Sequence, residues 1–370
     1  MNTKEIEPIF NQSCVISIAS SSEYVPYLCV YLTSLKEHTT KTNKYDIVIL
    51  EKNISNEDKE IIKNLIEERN ISIRFYNPSS YFAKYNLYIS DEKFSEECYY
   101  RIIAPVIFKK YKKVIFTDLD LIVLDDILEL NNFDLQGNII ASTIEPIWIE
   151  FYDKNYDVKG YKIKQYTSEV LQLTDPYRYF NTGVCVIDTE KYNKNNSFEK
   201  IIKNINKTKY LYQEQDAINV FFKDNIIELP DIWNYELDTK WINNQRFQKY
   251  FHDYKEKEYK AKILHFLGGY KPWLNPLSDK AYIWWEYARK TPYYEKILQK
   301  IFDNTRLVDD YQRIQYISNH LLYFYIKKLE YKIKAHFPFK KEKYKEKYKQ
   351  KYITLKQLLK EAKKMIIKIE

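Results

Sequence analysis

Residues 114–123 read Val-Ile-Phe-Thr-Asp118-Leu-Asp120-Leu-Ile-Val, so two carboxylates stand at the end of an apolar run. The run predicts a buried strand, and the period of two along an extended chain puts both carboxylates on one face. Neighbouring carboxylates repel each other unless a positive charge lies between them, and hard oxygen ligands suit Mg²⁺ or Mn²⁺. A bare Asp-x-Asp also arises by chance, and it is the position at a strand end that indicates a metal site here.

A second segment with potential ligand-binding groups at the end of a predicted strand reads Ile263-Leu-His265-Phe-Leu-Gly268-Gly269-Tyr-Lys271-Pro-Trp273. The predicted strand ends near the imidazole of His265. Gly268 and Gly269 allow backbone amides to approach an anion, and Lys271 follows them. We predict that His265 ligates the same metal, while Lys271 and the glycine amides hold a diphosphate. The alternative is a core histidine that precedes a turn.

Two further segments carry clustered polar groups, Phe180-Asn181-Thr182-Gly183-Val184 and Tyr212-Gln-Glu214-Gln215-Asp216. The first places an amide and a hydroxyl in front of a predicted buried strand, and these groups suit sugar hydroxyls. The second opens a helix, where Asp216 is equally suited to capping the helix. Each segment alone is more often structural, and the function is indicated by their combination.

Apolar runs and helical spacings alternate along the chain up to about residue 275. Predicted strands cover residues 14–19, 46–50, 71–75, 113–117, 138–141, 184–187, 226–229 and 262–266, and helices cover 24–37, 201–205 and 215–222, with another starting at Ser55. This alternation predicts an α/β sheet covered by helices, with ligands beyond the carboxyl ends of its strands. We expect a catalytic domain at residues 1–275 and a helical, Lys- and Tyr-rich extension at residues 276–370.

The composition excludes two nucleotide-binding classes. The chain has 370 residues but only five Gly, and no window fits Gly-x-Gly-x-x-Gly or the P-loop. The four cysteines form no Cys-x-x-Cys pair, and most of them lie in apolar runs, so we expect small buried side chains in a reducing compartment. The first residues resemble no signal peptide, and no uninterrupted apolar run is long enough to span a membrane. The sequence therefore predicts a cytoplasmic protein.

The basic charge is concentrated at the C-terminal end. The net charge is +8, yet residues 327–370 hold 16 Lys and 5 Glu, which leaves residues 1–326 at −3. A helical stripe is predicted at Tyr344, Tyr348, Tyr352, Leu355, Leu359, Ala362, Ile366 and Ile369. A basic amphipathic helix can lie on an anionic membrane, pack on its own domain or join an oligomer. Nucleic acid is not expected, because these residues contain no Arg to recognise base edges.

Taken in order, the motifs resemble glycosyltransferase family 8. They are Ile18-Ala19-Ser20, Tyr24, Tyr27, Tyr100-Arg101, Phe116 through Asp120, Phe180 through Val184, Gln213 through Asp216 and His265 through Trp273. The resemblance covers about residues 12–275 and is strongest to the bacterial lipopolysaccharide galactosyl- and glucosyltransferases. Each part is weak, but the ordered set is specific.

The resemblance implies a GT-A fold that binds a UDP-hexose with Mn²⁺, or alternatively Mg²⁺, held by Asp118, Asp120 and His265. Gly268 and Lys271 would contact the diphosphate, and Arg101 and the backbone near Ala19 the nucleoside. Asn181, Glu214 and Gln215 would surround the transferred sugar as catalytic residues, with retention of anomeric configuration. The implied donor site also includes Ser20, Ser21, Tyr24, Leu119, Glu145 and Thr182.

The sequence departs from the family pattern at three places. Residues 20–23 are Ser-Ser-Ser-Glu where many relatives place an acid and an amide that recognise uracil and ribose. Glu214 stands where relatives often have Asp, and the extra methylene could shift the sugar preference. Glu145 lies near a family donor-sugar acid but is offset by an apparent insertion.

The leading hypothesis is a hexosyltransferase that moves glucose or galactose from its UDP-sugar to a glycan or glycolipid acceptor, such as a lipopolysaccharide core. It would act at the cytoplasmic face of the inner membrane, to which the basic tail would bind. The rival hypothesis is a non-catalytic protein that keeps the fold and binds a membrane or partner through the tail. A metal-dependent phosphotransferase has only the Asp pair in its favour.

Overall fold

The structure is a computed structural model, and it describes residues 5–10, 14–85, 87–89, 95–237, 254–302, 321–336 and 342–369. The chain divides into two compact units, Met1–Tyr294 and Glu295–Glu370. The first unit continues past residue 275, where the sequence analysis places a domain boundary. The reason is that the helix at Ala281–Ala288 packs against the helix at Val25–Glu37.

The first unit contains all the strands of the described residues. They are β1 (Cys14–Ser21), β2 (Tyr45–Lys52), β3 (Ile71–Tyr76), β4 (Lys113–Thr117), β5 (Leu121–Val123), β6 (Ile140–Ile144), β7 (Asp157–Val158), β8 (Tyr161–Lys162), β9 (Phe180–Asp188), β10 (Ile226–Glu228), β11 (Tyr235–Glu236) and β12 (Ile263–His265). A seven-stranded sheet runs in the order β10-β6-β9-β4-β1-β2-β3, and every pairing in it is parallel except those of β9. The predicted α/β class is confirmed.

The helices mostly follow strands. They are α1 (Val25–Glu37), α2 (Asn56–Ile66), α3 (Ser79–Phe82), α4 (Tyr100–Ile107), α5 (Pro146–Lys154), α6 (Ile163–Gln165), α7 (Thr189–Lys194), α8 (Ser197–Ile205), α9 (Gln213–Phe222), α10 (Ala281–Ala288), α11 (Tyr294–Phe302), α12 (Leu321–Ala335) and α13 (Glu342–Ile369). Ser55, where a helix was predicted to start, is the N-cap of α2, since its Oγ accepts from Asp58 N at 3.0 Å and donates to the Asp58 carboxylate at 2.8 Å.

The central strands are buried along their length, as expected of strands covered on both faces. Residues 14–18 of β1 and 45–51 of β2 are all buried. Cys14, Cys29 and Cys185 lie in this core, which agrees with their predicted structural role, and burial raises the pKa of Cys14 to about 12.

Two strand pairings bring the polar segments to one edge of the sheet. Antiparallel pairing of β9 with β4 places Thr117 opposite Val184, so the next residue, Asp118, donates its N–H to the Gly183 carbonyl at 2.8 Å. The strand β9 begins at Phe180, and the Asn-Thr-Gly segment therefore lies in the strand itself and not in front of it as predicted. The difference arises because β6 pairs with β9 past a bulge as far as Phe180.

A small second sheet, in the order β11-β12-β5, positions the histidine. Antiparallel pairing of β12 with β5 places His265 opposite Leu121, and Phe266 N donates to the Asp120 carbonyl at 3.0 Å. The two aspartates occupy the connection between β4 and β5. Folding of this connection, and not an extended strand, brings both carboxylates to one side.

The second unit contains the predicted basic helix, α13. It packs with α12, and the rings of Tyr331 and Tyr348 lie 5.9 Å apart. Two residues of the predicted stripe, Leu355 and Leu359, are buried, whereas Ile366 and Ile369 lie outside the described side chains. Among the helices of the described ranges, none combines the length and apolarity needed to cross a bilayer.

Candidate active site

A cavity of about 710 Å³ lies among residues that follow β4 and β12 and the first residues of β9 and α9. The predicted site residues that line it are Tyr24, Asp118, Asp120, Glu145, Asn181, Thr182, Glu214, Gln215, His265, Gly268 and Lys271. Segments that are far apart in the sequence thus meet around one space. The predicted residues Ala19, Ser20, Ser21, Arg101 and Leu119, all within the described ranges, are not among its lining residues.

Asp118, Asp120 and His265 form a cluster that could hold a metal ion. One ligand atom from each side chain lies within 4.8 Å of the others. His265 Nε2 is buried without a hydrogen-bond partner and lies 3.3 Å from Asp120 Oδ1. Two carboxylates and one imidazole suit Mn²⁺ or Mg²⁺ chemistry, and the buried, unpartnered nitrogen faces the other two donors. The residues therefore fit a divalent cation.

Lys271 lies beside the same cluster. Its Nζ is 2.8 Å from Asp120 Oδ2. Burial alone would raise the pKa of Asp120, but the ammonium group of Lys271 outweighs burial and holds that pKa well below its usual range. Burial likewise opposes the charge on Lys271, yet Asp120 raises the pKa of Lys271 above its ordinary value. Both groups are therefore charged near neutral pH.

Arg101, in the first turn of α4, is buried and joins three side chains of the cavity wall. Its Nη1 donates to Thr182 Oγ1 and to Glu214 Oε1, both at 2.9 Å, and its Nη2 donates to the Asp118 carboxylate. A guanidinium suits this position because its planar fork can donate to several acceptors at once. The structure thus places Arg101 between Asp118 of the candidate metal cluster and two residues predicted to bind the donor sugar, Thr182 and Glu214.

Hydrogen bonds connect the side chains at the start of β9 with those of α9 and with Glu145. Gln215 Oε1 accepts from Thr182 N at 3.0 Å and from Thr182 Oγ1 at 3.2 Å. Asn181 Nδ2 donates to Glu145 Oε2 at 2.7 Å, although sequence analysis leaves Glu145 offset by an insertion. Glu145 also caps α5, since it accepts from Ile147 N at 3.3 Å. The polar groups predicted to surround the sugar are therefore held in defined orientations.

Two acids of α9 differ in exposure and in partners: Asp216 is buried, whereas the Glu214 side chain is 13% exposed. Burial raises the pKa of Glu214 to about 7, although Arg101 opposes that shift. Burial also raises the pKa of Asp216, which accepts from Tyr179 Oη at 2.6 Å, Tyr166 Oη at 2.7 Å and Tyr212 N at 2.8 Å. Asp216 thus accepts from the backbone N–H just before α9, which is related to the capping role that the sequence allowed.

The loop after β1 is only partly at the cavity. Tyr24 lines it, whereas Ala19, Ser20 and Ser21 lie in the last residues of β1. The register pairs Ile18 with Thr117, so Ala19 is next to Asp118 at the carboxyl edge of the sheet. A role for the backbone near Ala19 in ligand binding stays a prediction.

Two glycines matter for different reasons. Gly268 has a φ of +52°, in the left-handed region that favours glycine, and opens the turn that leads to Lys271. A Cβ on Gly183 would lie only 2.5 Å from His265 Cε1. Both positions belong to motifs recognised in the sequence, but the packing of an imidazole against Gly183 was not predicted, because nothing in the local sequence shows it.

Sequence analysis also missed a buried asparagine and an aromatic wall. Asn234 bonds to His265 Nδ1 and to Asn181, and it stands between Trp233 and Tyr235 in a segment that matches no motif of the sequence analysis. Trp148 stacks on Tyr179 with ring centroids 4.0 Å apart, and both line the cavity together with Tyr212. Tyr is so abundant in this chain that its presence alone indicates nothing.

Comparison with known proteins identifies the family of the chain. The profile of Glycosyl transferase family 8 matches residues 15–276, and the chain belongs to that family. It is 24% identical to General stress protein A of Bacillus subtilis, over 74% of this chain and 93% of that protein. It is also 24% identical to the Lipopolysaccharide 1,2-glucosyltransferase of Escherichia coli K12, over 57% of this chain and 59% of that protein.

A solved structure shares the fold. The apo structure of the bifunctional glycosyltransferase WbbM superposes with a TM-score of 0.73 at 25% identity, over 80% of this chain and 53% of that chain. The chain thus has the predicted GT-A fold and is a glycosyltransferase similar to lipopolysaccharide glucosyltransferases.

Proposed function

We propose that this chain is a metal-dependent, retaining hexosyltransferase that moves glucose or galactose from a UDP-sugar to a glycan acceptor. The observation that carries the proposal is the meeting, in one cavity, of the Asp118, Asp120 and His265 cluster with the amides and carboxylates of β9 and α9. One side suits a diphosphate with its cation, and the other suits a sugar ring.

Asp118, Asp120 and His265 would hold Mn²⁺, or alternatively Mg²⁺. The ion, when bound, stabilises negative charge that grows on the departing diphosphate. Lys271 supports the same end of the site with a charged ammonium group beside Asp120. Because this charge is already in place, little reorganisation is needed as UDP leaves. Gly268 begins the turn that presents Lys271.

Gln215, Glu214 and Asn181 would contact the transferred sugar. The amide of Gln215 is held through its oxygen by Thr182, and Arg101 in turn donates to the Thr182 hydroxyl. An amide fixed at this face can stabilise oxocarbenium character without being a strong nucleophile. This arrangement supports a retaining reaction, whether by internal return or by a short-lived adduct.

The acceptor would enter along the apolar side of the cavity. Ile147 and Phe151 of α5 and Leu274 are apolar residues of the cavity lining. Apolar and aromatic surfaces suit the carbon face of a pyranose. We propose a glycan or glycolipid acceptor of the lipopolysaccharide or other lipid-linked type, as the name of the Escherichia coli relative suggests.

The second unit would bind an anionic membrane surface. Leu355 and Leu359 are buried, so that part of the predicted stripe is already packed. Ile326, Leu329 and Ile333 are exposed on α12 at helical spacing, in a segment rich in lysine. Exposed apolar residues among cations favour adsorption to anionic lipid. This association would place the enzyme near a lipid-linked acceptor at the cytoplasmic face of the membrane.

One assay tests the donor and the activity together. A panel of UDP-sugars is incubated with the protein and Mn²⁺, and released UDP is measured with and without a chelator. We expect release from UDP-glucose or UDP-galactose that the chelator abolishes, and transfer products whose anomeric configuration matches the donor by NMR. No release from any UDP-sugar, together with no heat on titration with UDP and Mn²⁺, would contradict the proposal and favour the non-catalytic alternative.

A further inference from the structure

Asn234 connects the metal cluster with the sugar-side residues. It lies between the turn at Asp231–Trp233 and β11, and its side chain is buried. Its Nδ2 donates to Thr143 Oγ1 and to Asn181 Oδ1, both at 2.9 Å, and its Oδ1 lies 2.8 Å from His265 Nδ1. One amide thus bonds to residues of β6, β9 and β12.

The orientation of the Asn234 side-chain amide follows from neighbouring groups that can act only as a hydrogen-bond donor or only as an acceptor. Asn181 Oδ1 accepts from the backbone N–H of Gly183 at 2.7 Å, and Asn181 Nδ2 donates to the carboxylate of Glu145. Because these two contacts identify the oxygen of Asn181, Asn234 must present its NH₂ group to Asn181. The oxygen of Asn234 then faces His265.

The position of the imidazole proton follows in turn. Asn234 Oδ1 is an acceptor only, so His265 Nδ1 carries the proton that it donates. The lone pair of the neutral ring is then on Nε2, the atom that lies 3.3 Å from Asp120 Oδ1 and has no hydrogen-bond partner. A ligating histidine is normally held in this way through its other ring nitrogen.

Packing at Nδ1 and Cε1 also restrains the ring. A Cβ at position 183 would lie 2.8 Å from His265 Nδ1 as well as 2.5 Å from Cε1, so only glycine leaves room for the ring there. The hydrogen bond to Asn234 and the contact with Gly183 together determine where Nε2 lies.

We propose that Asn234 is a positioning residue that holds His265 in the Nδ1–H tautomer, with Nε2 available to a divalent cation, and orients Asn181 toward the sugar. This proposal deepens the proposed function and rests on it for the identity of the ligands. Asn234 contacts both His265 of the candidate metal cluster and Asn181 of the proposed sugar site. Substitutions of Asn234 can therefore distinguish its two roles.

Two substitutions separate the two roles. Asn234→Asp keeps an acceptor for His265 Nδ1–H but loses the donor to Asn181. Asn234→Leu loses both. Asn219→Leu is the matched control, because Asn219 is also a buried amide, accepts from Phe180 N at 2.7 Å and has no contact with His265 among the described hydrogen bonds.

Mn²⁺ affinity is measured without any substrate, from the EPR signal of free Mn²⁺, on variants whose folding is checked by thermal unfolding. We expect Asn234→Leu to weaken binding about 10–100-fold, as loss of an outer-shell partner typically does. Asn234→Asp should remain within about threefold of wild type, since the carboxylate still accepts from Nδ1. Both variants should lower kcat/KM for UDP-sugar hydrolysis, and Asn219→Leu should leave Mn²⁺ affinity unchanged.

Equal Mn²⁺ affinity in wild type and Asn234→Leu would overturn the proposal, as would equal losses in Asn234→Asp and Asn234→Leu. The tautomer itself is read by ¹⁵N NMR of the imidazoles in the metal-free protein, with the His265 signal assigned by substitution. We expect a protonated Nδ1 in wild type and its loss in Asn234→Leu. A protonated Nε2 with a bare Nδ1 in wild type would refute the assignment. Because the NMR measurement needs neither metal nor donor, failure of the proposed function would be seen separately, as absent Mn²⁺ binding and absent UDP release.

Discussion

The ion pairs around Arg101 in the first unit and around Glu330 in the second unit are built in opposite ways. In the first unit, Arg101 is buried and pairs with Glu214, 113 residues away in the sequence. In the second unit, Lys327 and Lys334 pair with Glu330 from within the same helix, and all three side chains are partly exposed. The first kind of pair exists only in the folded unit, whereas the second needs only a helix.

Buried and exposed charges therefore have different effects in this protein. A buried pair is little screened by salt, and its position is set by the fold, so it can orient neighbouring groups. Exposed lysines contribute little individually, but together they create a field that salt weakens. We therefore expect single substitutions in the first unit to have large effects on chemistry and those in the second to act collectively on association.

The largest effect is expected at Asp120, which serves both the metal cluster and Lys271. Asp120→Asn should lower Mn²⁺-dependent UDP-sugar turnover by about 10³-fold or more, because charge stabilisation of the leaving group is lost. Asp125→Asn is the control, since Asp125 is partly exposed and pairs with Lys262 outside the cavity. Turnover of a folded Asp120→Asn variant within tenfold of wild type would contradict the proposed role.

A smaller effect is expected at Arg101. Arg101→Lys keeps the charge but cannot reach Asp118, Thr182 and Glu214 together, so kcat/KM should fall by about 10–100-fold. The reverse exchange at an exposed pair, Lys334→Arg in the second unit, should leave kcat/KM unchanged. Equal kcat/KM values for Arg101→Lys and Lys334→Arg in a steady-state assay would contradict the distinction between the buried and the exposed ion pairs.

Membrane association should depend on several residues of α12 at once. Replacing Ile326, Leu329 and Ile333 together with Ser should lower co-sedimentation with phosphatidylglycerol vesicles about tenfold or more, because their apolar area can no longer be buried. Leu277→Ser is the control, an exposed apolar residue of the first unit. Binding that withstands both the triple change and raised salt would refute a membrane role for this unit.

The smallest effect concerns pH and Glu214. An acid whose pKa rises from 4.5 to about 7 on folding binds more protons when folded, so its contribution to stability is lost as the pH rises through that window. Relative to Glu214→Gln, the free energy of unfolding of wild type should fall by at most about 1.4 kcal/mol per pH unit between those values. Chemical denaturation at several pH values measures the slope, with exposed Glu286→Gln as the control. Parallel slopes for wild type and Glu214→Gln would show that Glu214 keeps its ordinary pKa.

Much of the fold and part of the site follow from local sequence. The apolar runs predicted β1 through β4 nearly to their ends, because such runs can be buried only in a covered sheet. Asp118, Asp120 and His265 were predicted as one cluster from their residue types, their positions at strand ends and the family resemblance, and the structure brings them together. Asn234 and Gly183 were not predicted to position the histidine. Their roles depend on contacts with an imidazole that is distant in the sequence.

The sequence by itself determined the class of fold, the donor types of the candidate metal cluster and the location of the basic charge, because each is a property of composition and periodicity. Only the tertiary structure decided which nitrogen of His265 faces the carboxylates and which side chains Arg101 joins. These hydrogen bonds join residues that are distant in the sequence. Asn234 is 31 residues from His265 and 53 residues from Asn181, and Arg101 is 81 residues from Thr182. Such partners become neighbours only when β4, β9 and β12 reach the same edge of the folded unit.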